Sequence, residues 1–381
     1  MYNKAIISID KLKNNIDIIK ENNKDIMAIV KADAYGHGSI VLSTAIEEFI
    51  NMFGVASFNE AITLRKNGIK KDILVLGITH KDFWKESINN NISLTIASVE
   101  LLNDIENLAK ELGIRAKIHL KIDTGMNRIG FNVEDFLKLI PNLYLYKNID
   151  ICGVYSHYSM ADEDFKYTNS QYIKFNRVLD ELEKNNIYIK YKHISNSAGT
   201  LLNFEQKTNL VRPGIILYGL SPSKDFEFDK RFLEVFSLYS FVTFIKDIDA
   251  GEKIGYGASF VSNKKMKIAT VAMGYGDGLP RDYYKDGFVI INNNYCKIVG
   301  KICMDMFMVD VTNVNVNVFD EVIIIGKSFD KEISLREMSD KSGKFHYELI
   351  CGFSKRIPRE YIKNNKLYKT LDYNYGELNL N

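Results

Sequence analysis

Cysteine is scarce in this chain of 381 residues, and its spacing fits neither a metal site nor a disulfide framework. The four cysteines are Cys152, Cys296, Cys303 and Cys351. They include no Cys-x-x-Cys pair, which argues against a zinc ribbon and against paired disulfides. The six histidines show no His-Glu-x-x-His spacing either. We therefore expect no metal site, and we interpret the cysteines as reduced, buried residues of the core.

Long apolar runs and an excess of charge of one sign are also missing. No stretch reaches the ~18 apolar residues of a membrane span, and residues 1–10 lack the apolar segment of a signal peptide. The 50 Lys and Arg residues are balanced by 48 Asp and Glu residues. Overall charge therefore favours neither nucleic acid nor an anionic membrane as a partner. We expect a soluble cytoplasmic protein.

Between residue 25 and about residue 215 the chain repeats one unit, which is a short apolar strand, a polar turn and a segment of helical periodicity. The predicted strands are 26–30, 52–56, 73–77, 92–97, 115–122, 149–155, 189–194 and 209–212. Eight parallel strands joined by crossover helices predict an α/β fold, the (β/α)8 TIM barrel. The alternative is an open doubly wound sheet. It needs a Gly-x-Gly-x-x-Gly turn after its first strand, and residues 31–38 do not supply one.

After Phe232 the pattern changes to alternating strands rich in Val, Ile, Phe and Tyr. This pattern predicts a second, mainly β domain at the C-terminal end. We therefore assign residues 1–232 to the barrel and residues 233–381 to the β domain, and the first strand of the chain is a candidate to join the second domain.

The segment from Ile26 to Gly38 is the most informative part of the sequence, because an apolar strand delivers Lys31 directly into a Gly-rich polar loop. An apolar strand that ends in lysine is usually structural. The functional alternative is that loss of hydration favours the neutral amine, which can attack a carbonyl and form a Schiff base.

Polar residues follow the other predicted strands at their carboxyl ends, where barrel enzymes carry their chemistry. They are Asp123 and Arg128 after strand five, His157 after strand six, Asn196 and Ser197 after strand seven, and Arg212 at strand eight. The last two loops can form a phosphate site from backbone N–H groups, helped by Gly214 and Ile215. Two structural interpretations stay open: Ser197 as a simple helix cap, and Arg212 as half of an ion pair at the rim.

Several motifs together resemble the alanine racemase family. They are VKADAYGHG (30–38), KIDTGMNRIG (121–130), SHY (156–158), SNS (195–197), VRPGI (211–215), GYGA (255–258), GYGDG (274–278) and CMD (303–305). The resemblance extends from Lys31 to Arg359. It implies a pyridoxal 5'-phosphate (PLP) enzyme that interconverts the enantiomers of alanine, works as a homodimer and supplies D-alanine for peptidoglycan.

The resemblance also implies two bases, because inversion removes a proton from one face of the substrate and returns one to the other. Lys31 would hold PLP as a Schiff base and act on the D-face. Tyr256 of the neighbouring subunit would act on the L-face. Tyrosine is a weak acid, so His157 and Arg212 would be the neighbours that stabilise its phenolate.

Further residues take roles by the same resemblance. The PLP contacts would be Tyr35, His157, Asn196, Ser197, Arg212, Gly214 and Ile215. Arg212 would face the pyridine nitrogen and leave it unprotonated, which suits a racemase better than a transaminase. Arg128 would bind the substrate carboxylate with the backbone of Met304, and Tyr275 would help close the entrance. Lys121 is the candidate for a carbamylated lysine that orients Arg128.

One position departs from the family. Tyrosine is usual where this chain has Lys355, and that tyrosine helps to hold the phosphate and limits the space near the catalytic tyrosine. Strict alanine specificity is therefore open, and a serine or broader-specificity racemase of the same fold is the first alternative. A noncatalytic PLP-binding protein is the second, and a fold-related decarboxylase is the third.

Overall fold

The computed structural model describes residues 3–373, which divide into two compact units. The barrel unit contains residues 12–34 and 39–233, and the β unit contains residues 3–11, 35–38 and 234–373. Strand β1 (Lys4–Ser8) belongs to the β unit, although it comes first in the chain.

Parallel strands form the barrel unit. They are β2 (Asp25–Ile29), β3 (Met52–Val55), β4 (Asp72–Val75), β5 (Ile92–Ile96), β6 (Ala116–Asp123), β7 (Phe131–Asn132), β8 (Ile149–Tyr155), β9 (Tyr191–His193) and β10 (Leu210–Val211). Pairing follows the order β10-β2-β3-β4-β5-β6-β8-β9, with the short β7 beside β6. Between β9 and β10, Asn209 N donates to Lys192 O and Arg212 N donates to Ser195 O. The barrel is therefore nearly closed, and the predicted TIM barrel is confirmed.

The barrel strands read as continuous apolar runs because both of their faces are covered. Every residue of β3 and β5 is buried, as expected for parallel strands between an interior and a ring of helices. Phe136 and Phe175, from two of the surrounding helices, are also fully buried in the core.

Several helices of the barrel unit begin at side-chain caps. Ser98 accepts a hydrogen bond from Leu101 N at the start of Val99–Leu112, and Gly113 ends that helix with φ 64°. The other helices before residue 234 are Ile9–Lys20, Ser39–Ile46, Phe58–Lys66, Trp84–Asn89, Val133–Leu139, Phe165–Lys184 and Ser197–Leu202.

The β unit is mainly antiparallel. Its strands after β1 are β11 (Phe236–Ile248), β12 (Lys253–Ile254), β13 (Phe260–Val261), β14 (Met266–Val271), β15 (Phe288–Ile291), β16 (Asn294–Lys297), β17 (Phe307–Asp310), β18 (Glu321–Ser328), β19 (Lys331–Ile333), β20 (Arg359–Lys363) and β21 (Lys366–Leu371). The main sheet has the order β16-β15-β18-β11-β1-β20-β21. Its helices are Leu335–Ser342 and His346–Gly352.

Among residues 3–373, no helix is both long and apolar enough to cross a membrane. The cysteines are unpaired, and they differ in exposure: Cys296 is buried, Cys152 and Cys303 are partly buried, and Cys351 is exposed. The expectation of a core position is right for Cys296 and wrong for Cys351, which lies near the end of a short surface helix.

Candidate active site

Lys31 lies at the carboxyl end of β2, and the chain turns sharply directly after it. Ala32, Asp33 and Ala34 have φ of 50°, 55° and 54° with ψ near those of a left-handed helix. Ala34 N donates to Val30 O at 2.9 Å across this turn. Left-handed residues other than glycine cost about 1–2 kcal/mol each. The strain therefore lies directly beside the candidate PLP lysine, as is common at functional sites.

Four basic side chains act on His157 at the rim of the barrel. Burial and the charges of Arg212, Lys121, Arg128 and Lys31 hold the pKa of His157 well below its usual value. His157 is therefore neutral at neutral pH, and the ends of β2, β6, β8 and β10 meet around it. The structure brings together at this rim the lysines and arginines that the sequence placed at strand ends.

Arg212 is buried, with 3% of its surface exposed, and its neighbours are uncharged acceptors. Nη1 donates to His193 Nδ1 at 2.8 Å, and Nη2 donates to Ser156 O, Ile194 O and His157 Nδ1 at 2.8–3.0 Å. Burial lowers the pKa of Arg212 to about 10, so that the guanidinium keeps its charge at neutral pH. No carboxylate among residues 3–373 forms an ion pair with it, so the rim ion-pair interpretation is wrong.

A second histidine continues the network into the barrel. His193 Nε2 lies 2.9 Å from His119 Nδ1. Burial and Arg212 hold the pKa of His193 well below its usual value, and burial lowers the pKa of His119 to about 3. His193 and Tyr155 stack, with ring centroids 4.8 Å apart. The sequence pattern alone does not single out His119, His193 or Tyr155 as site residues. The available signal was that His119 and Lys121 share one face of a strand.

Tyr155 contacts two of the basic side chains at the rim. Its hydroxyl lies 2.7 Å from Thr95 Oγ1, and its ring lies 5.2 Å from Lys121 Nζ and 5.4 Å from the Arg212 guanidinium. Such distances allow cation–π attraction. Lys121 itself is buried, and burial together with Arg212 lowers its pKa to about 7. A substantial neutral fraction is therefore present at physiological pH.

The loop that carries Arg128 is shaped by hydrogen bonds to its backbone. Asp123 Oδ1 accepts from Gly125 N at 2.9 Å and from Asn127 N at 3.1 Å, and the Tyr167 hydroxyl donates to Gly125 O. Arg128 is exposed at the end of this turn. A guanidinium on an ordered loop suits bidentate binding of a carboxylate.

Asn196 and Ser197 take different parts in the two last loops of the barrel. Asn196 Oδ1 accepts from Gly199 N and caps the helix Ser197–Leu202. Ser197 Oγ accepts from Gly214 N at 2.9 Å and joins this helix to the turn Ile215–Tyr218. The interpretation of Ser197 as the helix cap is therefore wrong. Because its oxygen is the acceptor in this bond, its own proton can be donated to an anion.

The β unit carries Tyr256, Tyr275 and Met304, whose exposed fractions are 67%, 42% and 53%. Tyr275 N donates to Cys303 O at 3.0 Å, and Gly276 N donates to Met304 O at 2.8 Å. The loop of Tyr256 is joined to the same region where Lys301 N donates to Ser259 Oγ at 3.0 Å. These hydrogen bonds join the loop of Tyr275 to that of Met304, and the loop of Tyr256 to the start of the same segment.

Tyr35 and Lys355 also lie in the β unit. Tyr35 is buried, and burial raises the pKa of its phenol. Arg359 holds the next residue, because its Nε donates to Gly36 O at 3.2 Å. Lys355 is exposed, and its Nζ lies 4.9 Å from the centre of the Tyr373 ring. An aromatic ring is therefore present beside the position where the family usually has tyrosine.

Comparison with known proteins decides the family. Residues 7–222 match the alanine racemase N-terminal domain, and residues 235–361 match the alanine racemase C-terminal domain. The chain belongs to the alanine racemase family. An alanine racemase from Methanococcus maripaludis is 42% identical over 366 residues, which cover 94% of this chain and 98% of the relative. An alanine racemase from Clostridium novyi is 40% identical over 379 residues, which cover 97% of each chain.

Solved alanine racemase structures agree with this assignment. The enzyme from Clostridium difficile 630 superposes with a TM-score of 0.92 at 36% identity, covering 98% of this chain and 99% of that one. The enzyme from Bacillus anthracis with bound L-Ala-P gives a TM-score of 0.89 at 32% identity, covering 98% of both chains. Alanine racemases are PLP-dependent isomerases, and this chain is an enzyme of that class.

The residues of the barrel rim fit PLP. The hydrogen bonds of Arg212 leave its Nε–H and one Nη1–H without a protein acceptor among residues 3–373. A buried guanidinium with spare donors suits the pyridine nitrogen, which is an acceptor. The Ser197 hydroxyl and the turn that begins at Ile215 offer donors to a phosphate.

Proposed function

We propose that this chain interconverts L-alanine and D-alanine with PLP by a two-base mechanism in which Lys31 and Tyr256 are the bases. The observation that carries the proposal is the grouping of Lys31, Arg128 and Arg212 with a neutral His157 at the barrel rim, where Arg212 Nη2 donates to His157 Nδ1 at 3.0 Å. Such a rim attracts the phosphate of the cofactor and the carboxylate of an amino acid. Arg212 and Ser197 add donors of the kind that PLP needs.

Each residue then has a definite task. Bound PLP supplies an electron sink for the charge left at Cα when a proton is removed. Lys31 holds the cofactor through Nζ and moves the proton on the D-face, while Arg128 binds the carboxylate with the Met304 backbone. Arg212 would donate an N–H to the ring nitrogen, which would limit the electron sink and disfavour transamination. Tyr35, Ser197, Gly214 and Ile215 would hold the phosphate, with Asn196 and His157 beside the cofactor.

Tyr256 serves the L-face from a second subunit in this proposal, so the enzyme is a homodimer. The support is the exposure of Tyr256, Tyr275 and Met304 on loops that hydrogen bonds join, because large exposed side chains at one surface favour a protein partner. Subunit exchange between Lys31→Ala and Tyr256→Phe variants tests it. If the sites are shared, statistical mixing should restore about a quarter of wild-type activity from two inactive parents. No recovery in a verified mixed dimer would contradict shared sites.

A racemase of broader specificity is the second candidate, and Lys355 in place of tyrosine favours it. We also propose a cytoplasmic location and supply of D-alanine for peptidoglycan. Rescue of a bacterium that requires added D-alanine would support the supply of D-alanine. Failure of the well-expressed protein to rescue that bacterium would count against this role.

The central test uses the purified holoenzyme. We expect a visible absorbance band from bound PLP, loss of optical rotation from L-alanine, and borohydride fixation of the cofactor on Lys31 by mass spectrometry. Lys31→Ala should lose all three, since Lys121 lies on a different strand. Fixation on another lysine would overturn the assignment of Lys31. PLP binding without racemisation would indicate a noncatalytic PLP-binding protein.

A further inference from the structure

We propose that Glu60 is a positioning residue for Lys31, an inference that rests on the proposed role of Lys31 in holding PLP. Glu60 Oε1 accepts a hydrogen bond from Ala32 N at 2.7 Å. Its Oε2 accepts from Ala56 N, also at 2.7 Å. A single carboxylate therefore joins the first amide after Lys31 to the first amide after β3.

The turn after Lys31 needs such support because its residues do not prefer its conformation. Ala32, Asp33 and Ala34 are all left-handed and none of them is glycine. Glu60 holds the start of the turn, and Asp33 Oδ1 holds its far side by accepting from Ser39 N at 2.8 Å and Ser39 Oγ at 3.1 Å. The direction in which Lys31 leaves β2 is thereby fixed relative to β3.

Helix capping is the other role open to Glu60. It is the third residue of Phe58–Lys66 and forms a capping box with Ser57. The two bonds of that box are long, at 3.4 Å from Glu60 N to Ser57 Oγ and 3.3 Å from Ser57 N to Glu60 Oε2. Capping requires only one carboxylate oxygen, and the bond from Oε1 to Ala32 leads away from the helix. Capping alone therefore leaves the shorter contact unexplained.

The experiment compares holoenzymes that carry Glu60→Gln or Glu47→Gln. Glutamine keeps the size of the side chain, but only one of its two terminal atoms can accept, so Ala32 or Ala56 loses its partner. Glu47 is the matched control, because its Oε1 accepts from Lys70 N at 2.6 Å and Lys71 N at 2.8 Å. Those amides precede β4, at the amino end of the barrel strands.

Both substitutions should lower thermal stability, whereas only Glu60→Gln should affect the cofactor. For Glu60→Gln we expect the PLP dissociation constant to rise about tenfold, as for loss of one hydrogen bond to a charged group. The pH dependence of the visible PLP band should also shift. Glu47→Gln should keep both properties of the wild type. Ser57→Ala tests the capping box alone and should leave the cofactor properties unchanged.

Ala32→Gly provides a rescue. Glycine adopts positive φ readily, and Ala32 is exposed, so this change lowers the strain of the turn without opening a cavity. When Ala32→Gly is combined with Glu60→Gln, it should reverse at least half of the increase in the logarithm of the PLP dissociation constant. If Glu60→Gln does not fold, hydrogen exchange at the Ala32 amide in the wild-type holoenzyme replaces it. Slow exchange at this exposed residue is expected, and exchange at the rate of an unstructured peptide would overturn the proposal.

The outcomes separate this inference from the proposed function. If borohydride fixes PLP on Lys31 in the wild type, but Glu60→Gln and Glu47→Gln bind PLP equally well, the positioning role is wrong and the function stands. If PLP is fixed on a different lysine, the proposed function fails first. A loss of PLP affinity in Glu60→Gln that Ala32→Gly does not reverse would reduce Glu60 to a purely structural residue.

Discussion

Arg212 and His193 form a buried hydrogen bond of 2.8 Å between Nη1 and Nδ1, and its direction can be assigned. Arginine can only donate, so His193 Nδ1 must accept. Neutral His193 then carries its proton on Nε2 and donates it to His119 Nδ1, 2.9 Å away. A second proton on His193 would place a donor against the guanidinium. The network therefore keeps both histidines neutral and holds Arg212 in one orientation.

The first prediction concerns the stability of this network in acid. His119 has an ordinary pKa of 6.5 when unfolded and a pKa of about 3 in the fold. Between these values only the unfolded chain binds the proton, so the free energy of unfolding falls as the pH is lowered from 6.5. The loss attributable to His119 at pH 5 is about 2 kcal/mol. His119→Gln should remove it. Urea unfolding at pH 7 and pH 5 measures the difference, and an unchanged pH dependence in the variant would contradict the assignment.

The barrel could be predicted from the sequence because parallel strands are buried on both faces and therefore stand out as apolar runs. Lys31, Arg128, His157 and Arg212 could be predicted as site residues because barrel enzymes carry their chemistry at the carboxyl ends of the strands. The β unit was recognised only as a change to alternating strands. Its sheet joins β1 to β11 and β20, pairings that depend on contacts far apart in the chain.

The contacts that shape the site were not predictable from local pattern. His119 and His193 lie 74 residues apart, and only the register of the barrel brings them together. The left-handed turn at Ala32–Ala34 could not be predicted, because alanine and aspartate prefer other conformations. Glu60, which holds the start of this turn, comes from another segment of the chain. Asn196 and Ser197 are both good helix caps, so the sequence could not say which of them caps the helix.

Arg128→Lys should weaken substrate binding much more than cofactor binding. Lysine is a point charge and cannot form the two parallel hydrogen bonds of a guanidinium with a carboxylate. We expect the KM for alanine to rise by about tenfold or more, while the PLP dissociation constant stays close to that of the wild type. Steady-state kinetics and PLP titration measure the two effects. An equal loss of PLP affinity would show that Arg128 has been given the wrong role.

Lys121 should react with carbon dioxide. Burial and Arg212 lower the pKa of Lys121 to about 7, so a neutral amine is available near neutral pH. Protein equilibrated with carbon-13-labelled bicarbonate at pH 8 should give a carbamate NMR signal that weakens at pH 6, where the amine is protonated. Lys121→Ala should lack this signal. A signal that persists in the variant would assign the carbamate elsewhere, and its absence from the wild type would leave Lys121 unmodified.

Tyr256→Phe should bind PLP but racemise very slowly, with the loss concentrated on the L-enantiomer. In the two-base scheme the Tyr256 hydroxyl is the only base on the L-face, whereas Lys31 still serves the D-face. Exchange of the Cα hydrogen for deuterium, followed by NMR, should therefore persist with D-alanine and collapse with L-alanine. Equal loss of both exchanges would indicate a structural role for Tyr256.

The last prediction concerns Lys355, where the chain departs from its family. Its flexible side chain lies over the Tyr373 ring, with Nζ 4.9 Å from the ring centre. A lysine in this position does not wall the pocket as a rigid tyrosine does, so we expect the wild type to racemise serine at an appreciable fraction of its alanine rate. Lys355→Tyr should lower the ratio of serine to alanine turnover by about tenfold. Turnover of both amino acids, followed by chiral chromatography, measures this ratio.

Two variants of Tyr373 complete this test, because the Tyr373 ring lies beside Lys355 and could fill space in its place. Tyr373→Phe keeps the ring and should leave the serine-to-alanine ratio unchanged. Tyr373→Ala removes the ring, and it should also change the ratio little if Lys355 sets the available space. An alanine-selective wild type, an unchanged Lys355→Tyr variant and a broadened Tyr373→Ala variant would together transfer the specificity role from residue 355 to Tyr373.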